Sequence, residues 1–148
     1  MDILQQFMTY AADFEKTLID DDWTRLERYF ADDAVYEVEG SSAACRIQGR
    51  NAIFAGLKKS LDGFDRKFPG RDIAVLDGPH VAGDEIRMRW QVTYTKAGLP
   101  PFVLSGRGLV RYSGDRISYL YDGYDPGVDD HFAAWQRQTG VALQPGYT

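Results

Sequence analysis

Apolar side chains recur at three- and four-residue intervals through Ile3, Phe7, Ala11, Phe14 and Leu18, the spacing that lines one face of an α-helix. Asp20-Asp21-Asp22 interrupts the pattern and offers oxygens to the free N–H groups of a second helix. The buried stripe of that helix is Trp23, Leu26 and Phe30, and Ala31-Asp32-Asp33 ends it. A short strand with Val35, Tyr36 and Val38 follows, then a Gly40-Ser41-Ser42 turn and a return strand through Cys45 and Ile47. Gly49-Arg50-Asn51 opens a third helix with Ile53, Phe54, Leu57 and Leu61 on one side.

Beyond the charged, Gly- and Pro-containing loop from Asp62 to Gly70, the period changes to two. In Glu85 to Tyr94, the even positions Ile86, Met88, Trp90, Val92 and Tyr94 are apolar or aromatic, and the odd ones are polar. That alternation marks a strand with one dry face and one wet face. Turn signals at Ala82-Gly83-Asp84-Glu85 and Ser113-Gly114-Asp115-Arg116 predict an antiparallel meander over segments 71–82, 85–96, 102–112 and 117–124. Gly106 and Gly108 suit a bend or bulge in its third strand. A short helix is expected after Pro126, with Val128, Phe132 and Trp135 as its apolar side. Helices first and a meander last give an α+β fold, with N-terminal helices packed on a strongly curved, mostly antiparallel sheet that encloses a pocket.

The length of 148 residues fits one domain spanning residues 1–148. The formal net charge of −5, without a cluster of Lys and Arg, argues against nucleic acid as a partner. The single Cys45 and the lack of Cys/His sets at metal-ligand spacing favour a reducing compartment, the cytoplasm, and no structural metal. Neither a signal-peptide pattern nor an apolar run long enough to span a bilayer occurs, so no membrane partner is expected. Gly106-x-Gly108 lacks the context of a dinucleotide site, and no cofactor is expected.

The chemistry centres on Ile117-Ser118-Tyr119-Leu120-Tyr121-Asp122-Gly123-Tyr124. Alternation puts Asp122 on one face with Leu120 and Tyr124, and Leu120 marks that face as the inner one. A desolvated carboxylate there has a raised pKa and can take or give a proton. Trp90, Tyr94 and Tyr36 are expected to line the same cavity with flat walls and hydroxyl donors, and the interior to narrow around Trp90 and Phe14. His80 and His131 are expected in solvent, and Arg87 and Arg89 on the outer sheet face.

The run Asp22-Trp23 to Phe30-Ala31-Asp32-Asp33-Ala34-Val35-Tyr36, then Gly49-Arg50-Asn51-Ala52-Ile53, then the meander ending Tyr121-Asp122-Gly123-Tyr124-Asp125 resembles the nuclear-transport-factor-2-like superfamily, closest to its SnoaL-like branch. The resemblance covers nearly the whole chain and implies a conical α+β barrel with a pocket on the concave face, often dimeric through the sheet. Ketosteroid isomerases carry a Tyr and an Asp base at positions that here look like Phe14 and Val38. Limonene-epoxide hydrolases use an Asp–Arg–Asp set approximated here by Asp122, Arg89 and Gln91, with one carboxylate lost. SnoaL-like polyketide cyclases place an acid/base Asp where Asp122 stands, often with a His in the preceding strand, and the segment Arg107 to Tyr112 has none.

Two readings follow. One is a cofactor-independent lyase, isomerase, cyclase or hydrolase acting on a small hydrophobic cyclic molecule, with Asp122 as acid/base, Tyr36 or Tyr94 as donors, and Val38, Met88, Leu120, Tyr124, Phe14 and Trp90 as lining. The other is a binding or association module of the same fold. Either is expected to be a homodimer through the outer sheet face, where Val103, Leu109, Tyr119 and Tyr121 lie.

Overall fold

The periodic N-terminal pattern forms α1 (Ile3–Asp20), opened by Asp2, whose carboxylate accepts from the Leu4 and Gln5 N–H groups. The structure, a computed structural model, describes residues 2–148. The expected second helix is a 3-10 helix, Trp23–Tyr29, capped by the Asp22 side chain on the Thr24 N–H. Its buried residues Leu26 and Tyr29 are three apart, which matches a helix of three residues per turn. Phe30 and Ala31-Asp32-Asp33 do not end that helix; they begin β1 (Phe30–Glu39), in which Ala34, Tyr36 and Val38 alternate into the core. The alternation outweighs a boundary signal made only of small and acidic residues.

The remaining elements are β2 (Cys45–Gln48), α2 (Arg50–Gly63), a 3-10 turn (Asp65–Lys67), β3 (Gly70–Ala82), β4 (Glu85–Thr95), β5 (Phe102–Ser113), β6 (Arg116–Tyr124) and α3 (Val128–Thr139). They form one six-stranded sheet in the order β2-β1-β6-β5-β4-β3, which stays open with β2 and β3 as edges. The pairing of β1 with β6 is parallel and sets Val38 beside Asp122 and Tyr36 beside Leu120. All other pairs are antiparallel, so the α+β fold with a mostly antiparallel sheet is as the sequence predicts.

Gly83 and Gly114 open the two-residue turns of the meander at φ 62°, a conformation that costs glycine little. Gly106 and Gly108 make no bulge, because the register runs unbroken through them and shifts later, between Arg111 and Tyr112. At Gly106 the lack of a side chain gives space: a Cβ would lie 2.3 Å from the Gly123 main-chain oxygen and 2.9 Å from the Trp90 indole, whereas one on Gly108 would make only ordinary contact with Trp90 at 3.4 Å.

Two aromatic-rich clusters fill the interior. One joins α1, the 3-10 helix, β1 and α2 through Tyr10, Tyr29, Phe30, Tyr36 and Phe54. The other joins the far ends of β4 and β5 to α3 through Phe64, Phe68, Tyr94, Phe102, Phe132 and Trp135. Tyr124 packs against both, so the end of β6 lies at their seam.

Candidate functional site

Asp122 projects from β6 into this seam, on the same side as the core residues Tyr36 and Val38 of the neighbouring strand. The Tyr36 hydroxyl donates to its Oδ2 at 2.8 Å. Among the described residues no hydrogen bond reaches Oδ1. The indole N–H of Trp90 faces the same carboxyl outside good hydrogen-bond geometry, and that nitrogen is buried without a partner. Such an unmet donor is costly unless something else satisfies it.

Burial pushes the Asp122 carboxyl up to about 6, while Tyr36 and Trp90 pull it down and are outweighed. Asp122 nonetheless keeps part of its surface open to water-sized contact, as do Met88, Trp90, Leu120 and Tyr124 around it. Burial also raises Tyr36 and Tyr124 well above the ordinary tyrosine value, so both remain protonated donors at neutral pH.

Several expected members take other places. The Tyr94 hydroxyl donates at 2.9 Å to Asp65, not to Asp122. Phe14 packs edge-on to Trp23 at 6.2 Å and tilted on Tyr10 at 6.1 Å, whereas Trp90 packs edge-on to Tyr124 at 5.7 Å. Phe14 and Trp90 are therefore partners in different clusters and do not form one constriction. Val38 is fully buried beside Asp122. Arg89 points outward to Asp125 at 2.7 Å, so it supplies no charge to the interior. His80 is exposed beside Asp77, and His131 is exposed with its ring stacked on Phe102 at 4.6 Å.

Two features escape the sequence reading. Asp65, in a loop whose charges suggest solvent, is 8% exposed and bonded by Arg71 at 3.0 Å, and Arg71 also holds Glu15 at 2.6 Å. Desolvation raises Asp65, opposed by the Arg71 charge and the Tyr94 hydroxyl. The second is Tyr147, whose ring stands edge-on to Tyr36 at 5.5 Å and whose hydroxyl meets that of Tyr124 at 3.0 Å. The only sequence signal for it was a lone aromatic in an aperiodic tail.

Two surface depressions lie away from Asp122: one of about 640 Å³ between α2 and the 140–148 segment, and one of about 520 Å³ on the outer sheet face near Arg87, Arg107 and Tyr121. Both are open, and their charged groups largely face partners already present, such as Lys58 with Asp21 and Asp62. Among the described residues no group of His, Cys, Asp and Glu could hold a metal ion, and no helix is long and apolar enough to cross a membrane.

The sequence profile of the SnoaL-like domain matches residues 11–120. Many solved structures share the fold, among them the following three. A candidate isomerase from Bacillus subtilis has 17% identity and a TM-score of 0.65, over 97% of this chain and 100% of its own. An LEH-like epoxide hydrolase of M. tuberculosis has 20% identity and a TM-score of 0.60, over 90% and 91%. A candidate polyketide cyclase of Xanthomonas campestris has 18% identity and a TM-score of 0.54, over 82% and 91%. At such identity the likeness speaks for fold alone. No protein of curated function matches the chain in sequence.

Proposed function

This chain belongs to the SnoaL-like domain family, and from that premise we propose that it is a cofactor-independent enzyme acting on a small hydrophobic cyclic molecule, with Asp122 as general acid/base. The observation that carries this reading is the Asp122 carboxyl itself. One oxygen is held by Tyr36, the other is unbonded, and burial sets its pKa at about 6. A group with a pKa near working pH is present in both forms and can move a proton in either direction. As the anion it takes a proton next to a carbonyl; as the acid it protonates a leaving oxygen.

Tyr36 fixes the carboxyl and stays protonated throughout, which makes it a positioning donor and not a base. The buried Trp90 N–H faces the Asp122 carboxyl and favours its charged form. Met88, Leu120 and Tyr124 supply apolar walls. Tyr94 has no direct part, because its hydroxyl is committed to Asp65. The lone Cys45, kept as a thiol, fits a cytoplasmic protein. Turnover of a panel of small cyclic ketones, lactones and epoxides, followed against pH, tests the reading. The account expects a limb in kcat/KM near pH 6; a flat profile across pH 5 to 8 with full activity contradicts it.

We further propose a homodimer through the sheet. On the outer face Leu109, Val103, Tyr119 and Tyr121 stay partly exposed, and edge strand β3 leaves Ile73, Val75, Leu76 and Val81 about half exposed. Ile73, Val75 and Val81 pair with Val92, Trp90 and Ile86 and so lie on the face opposite to Val103 and Leu109; apolar side chains along an edge strand are a ready site for pairing with a second copy. Light scattering at micromolar concentration is expected to give twice the chain mass of 16.7 kDa; a monomer mass removes the proposal.

A further inference from the structure

One side chain packed beside Asp122 comes from the 140–148 segment, that of Tyr147. The segment 140–148 crosses α2, and its main chain is what α2 and its neighbours hold. The Gln144 N–H donates to the Gly63 carbonyl at 3.0 Å, Ser60 Oγ to the Pro145 carbonyl at 3.3 Å, and Lys67 Nζ to the Ala142 carbonyl at 2.9 Å. Lys59 reaches the main-chain oxygen of Thr148. Gly56, Ser60 and Gly63 lie along one face of α2 and let the segment come close. A Cβ on Gly63 would stand 2.1 Å from the Gln144 oxygen, and one on Gly56 would stand 2.8 Å from the Tyr147 oxygen.

The side chain delivered by this track is a phenol. Tyr147 sets its ring edge-on to Tyr36 and its hydroxyl on Tyr124, and burial, with the nearby Asp122 carboxylate adding to it, pushes its pKa up to about 12. Tyr36 and Tyr124 thus present an aromatic wall and a hydroxyl partner to a single hydroxylated ring. Around the same point, Oδ1 of Asp122 and the Trp90 N–H are left without partners by that ring. A phenol held this way satisfies only part of what the site offers.

We propose that Tyr147 is a displaceable self-ligand: residues 140–148 form a strap that lifts off α2, and a ligand bearing a hydroxylated ring takes the place of the Tyr147 side chain. This deepens the acid/base reading and rests on the same site. The ligand hydroxyl replaces that of Tyr147 on Tyr124, and its additional polar atoms reach Asp122 and Trp90. The strap is held by the Ala142 and Pro145 carbonyls and by the Gln144 and Leu143 N–H groups, the latter on Gln136 at 2.7 Å; Leu143 is buried in the second aromatic cluster, and Val141 and Tyr147 pack against the second and the first.

The test uses p-cresol, the tyrosine side chain as a free molecule, and toluene as its counterpart without a hydroxyl. Binding to the full chain is read by calorimetry and by the shift in melting temperature. Tyr147→Ala is expected to bind p-cresol about tenfold more tightly than wild type, whose own phenol competes, and about tenfold more tightly than it binds toluene, the factor a single hydrogen bond supplies. Adding Tyr124→Phe should erase the preference for p-cresol over toluene. Gly63→Ala, which lifts the strap and keeps Tyr147, should bind p-cresol more tightly than wild type, and it carries the test if Tyr147→Ala does not fold. Equal binding by wild type and Gly63→Ala, or no preference for the hydroxyl in Tyr147→Ala, overturns the proposal. Binding does not require Asp122 to transfer a proton. If p-cresol binds as stated while the rate shows no limb near pH 6, the acid/base reading fails and the self-ligand stands; the reverse outcome removes the self-ligand alone.

Discussion

Asp122→Asn is expected to stabilise the protein above pH 6 while lowering turnover of any substrate by about 10²–10⁴-fold, the range removed with a positioned acid or base. The sign follows from the two states. In the folded chain Asp122 holds its proton up to about pH 6, whereas in the unfolded chain it loses it near the ordinary Asp value of about 3.9. Between those values the folded state binds more protons, so stability is highest below the unfolded pKa and falls as pH rises through the folded one. The shift of roughly two units corresponds to about 3 kcal/mol lost by pH 8.

Asn keeps the shape, accepts the Tyr36 hydroxyl and carries no charge, so most of that loss disappears. A remnant of the same sign stays, because Asp65 is also raised by burial. Carboxylates lowered by ion pairs, such as Asp20, held near 2 by Arg25, act with the opposite sign and only in acid, which separates them from the window above pH 4. Urea unfolding from pH 4 to 8 reads the difference. An Asn variant less stable than wild type at pH 8 would make Asp122 a structural carboxylate.

The second large effect is expected at Arg71. Its guanidinium lies between Asp65 and Glu15, the former almost fully buried. Removing one partner of a buried pair leaves the other charge uncompensated, a loss of about 3–5 kcal/mol. Arg71→Met keeps the aliphatic bulk, so the loss reports charge and not packing. Asp65 can escape by taking a proton, so the loss should shrink as pH falls from 7 to 5, and Asp65→Asn in the same chain should recover part of it. A loss below about 1 kcal/mol at pH 7, the range of surface pairs, would mean that Asp65 is solvated.

The meander was legible because period-two alternation in Glu85–Thr95 and glycine turns at Gly83 and Gly114 agree with one another. Asp122 was legible for the same reason: strand parity fixes the face once Leu120 marks the inside. The second helix was legible but its end was misplaced, because the boundary at Phe30 depends on β1 pairing with the distant β6. Asp65 and Tyr147 were hidden for a different reason. Neither belongs to a periodic segment, and each is placed by tertiary contacts: Asp65 by Arg71 from β3, Tyr147 by glycines and Ser60 on α2. Tyr94 sits where parity puts it, on the inner face, but parity does not say which of two buried carboxylates its hydroxyl meets.

The state of the Asp122 carboxyl decides the account most directly. Its side-chain carboxyl carbon, followed by NMR in isotopically labelled protein across pH 3 to 9 and assigned by its loss in Asp122→Asn, is predicted to titrate with a midpoint near 6. A midpoint at or below about 3.9, the value of a solvated aspartate, would put the charge in water or in a committed hydrogen-bond network and contradict the acid/base assignment.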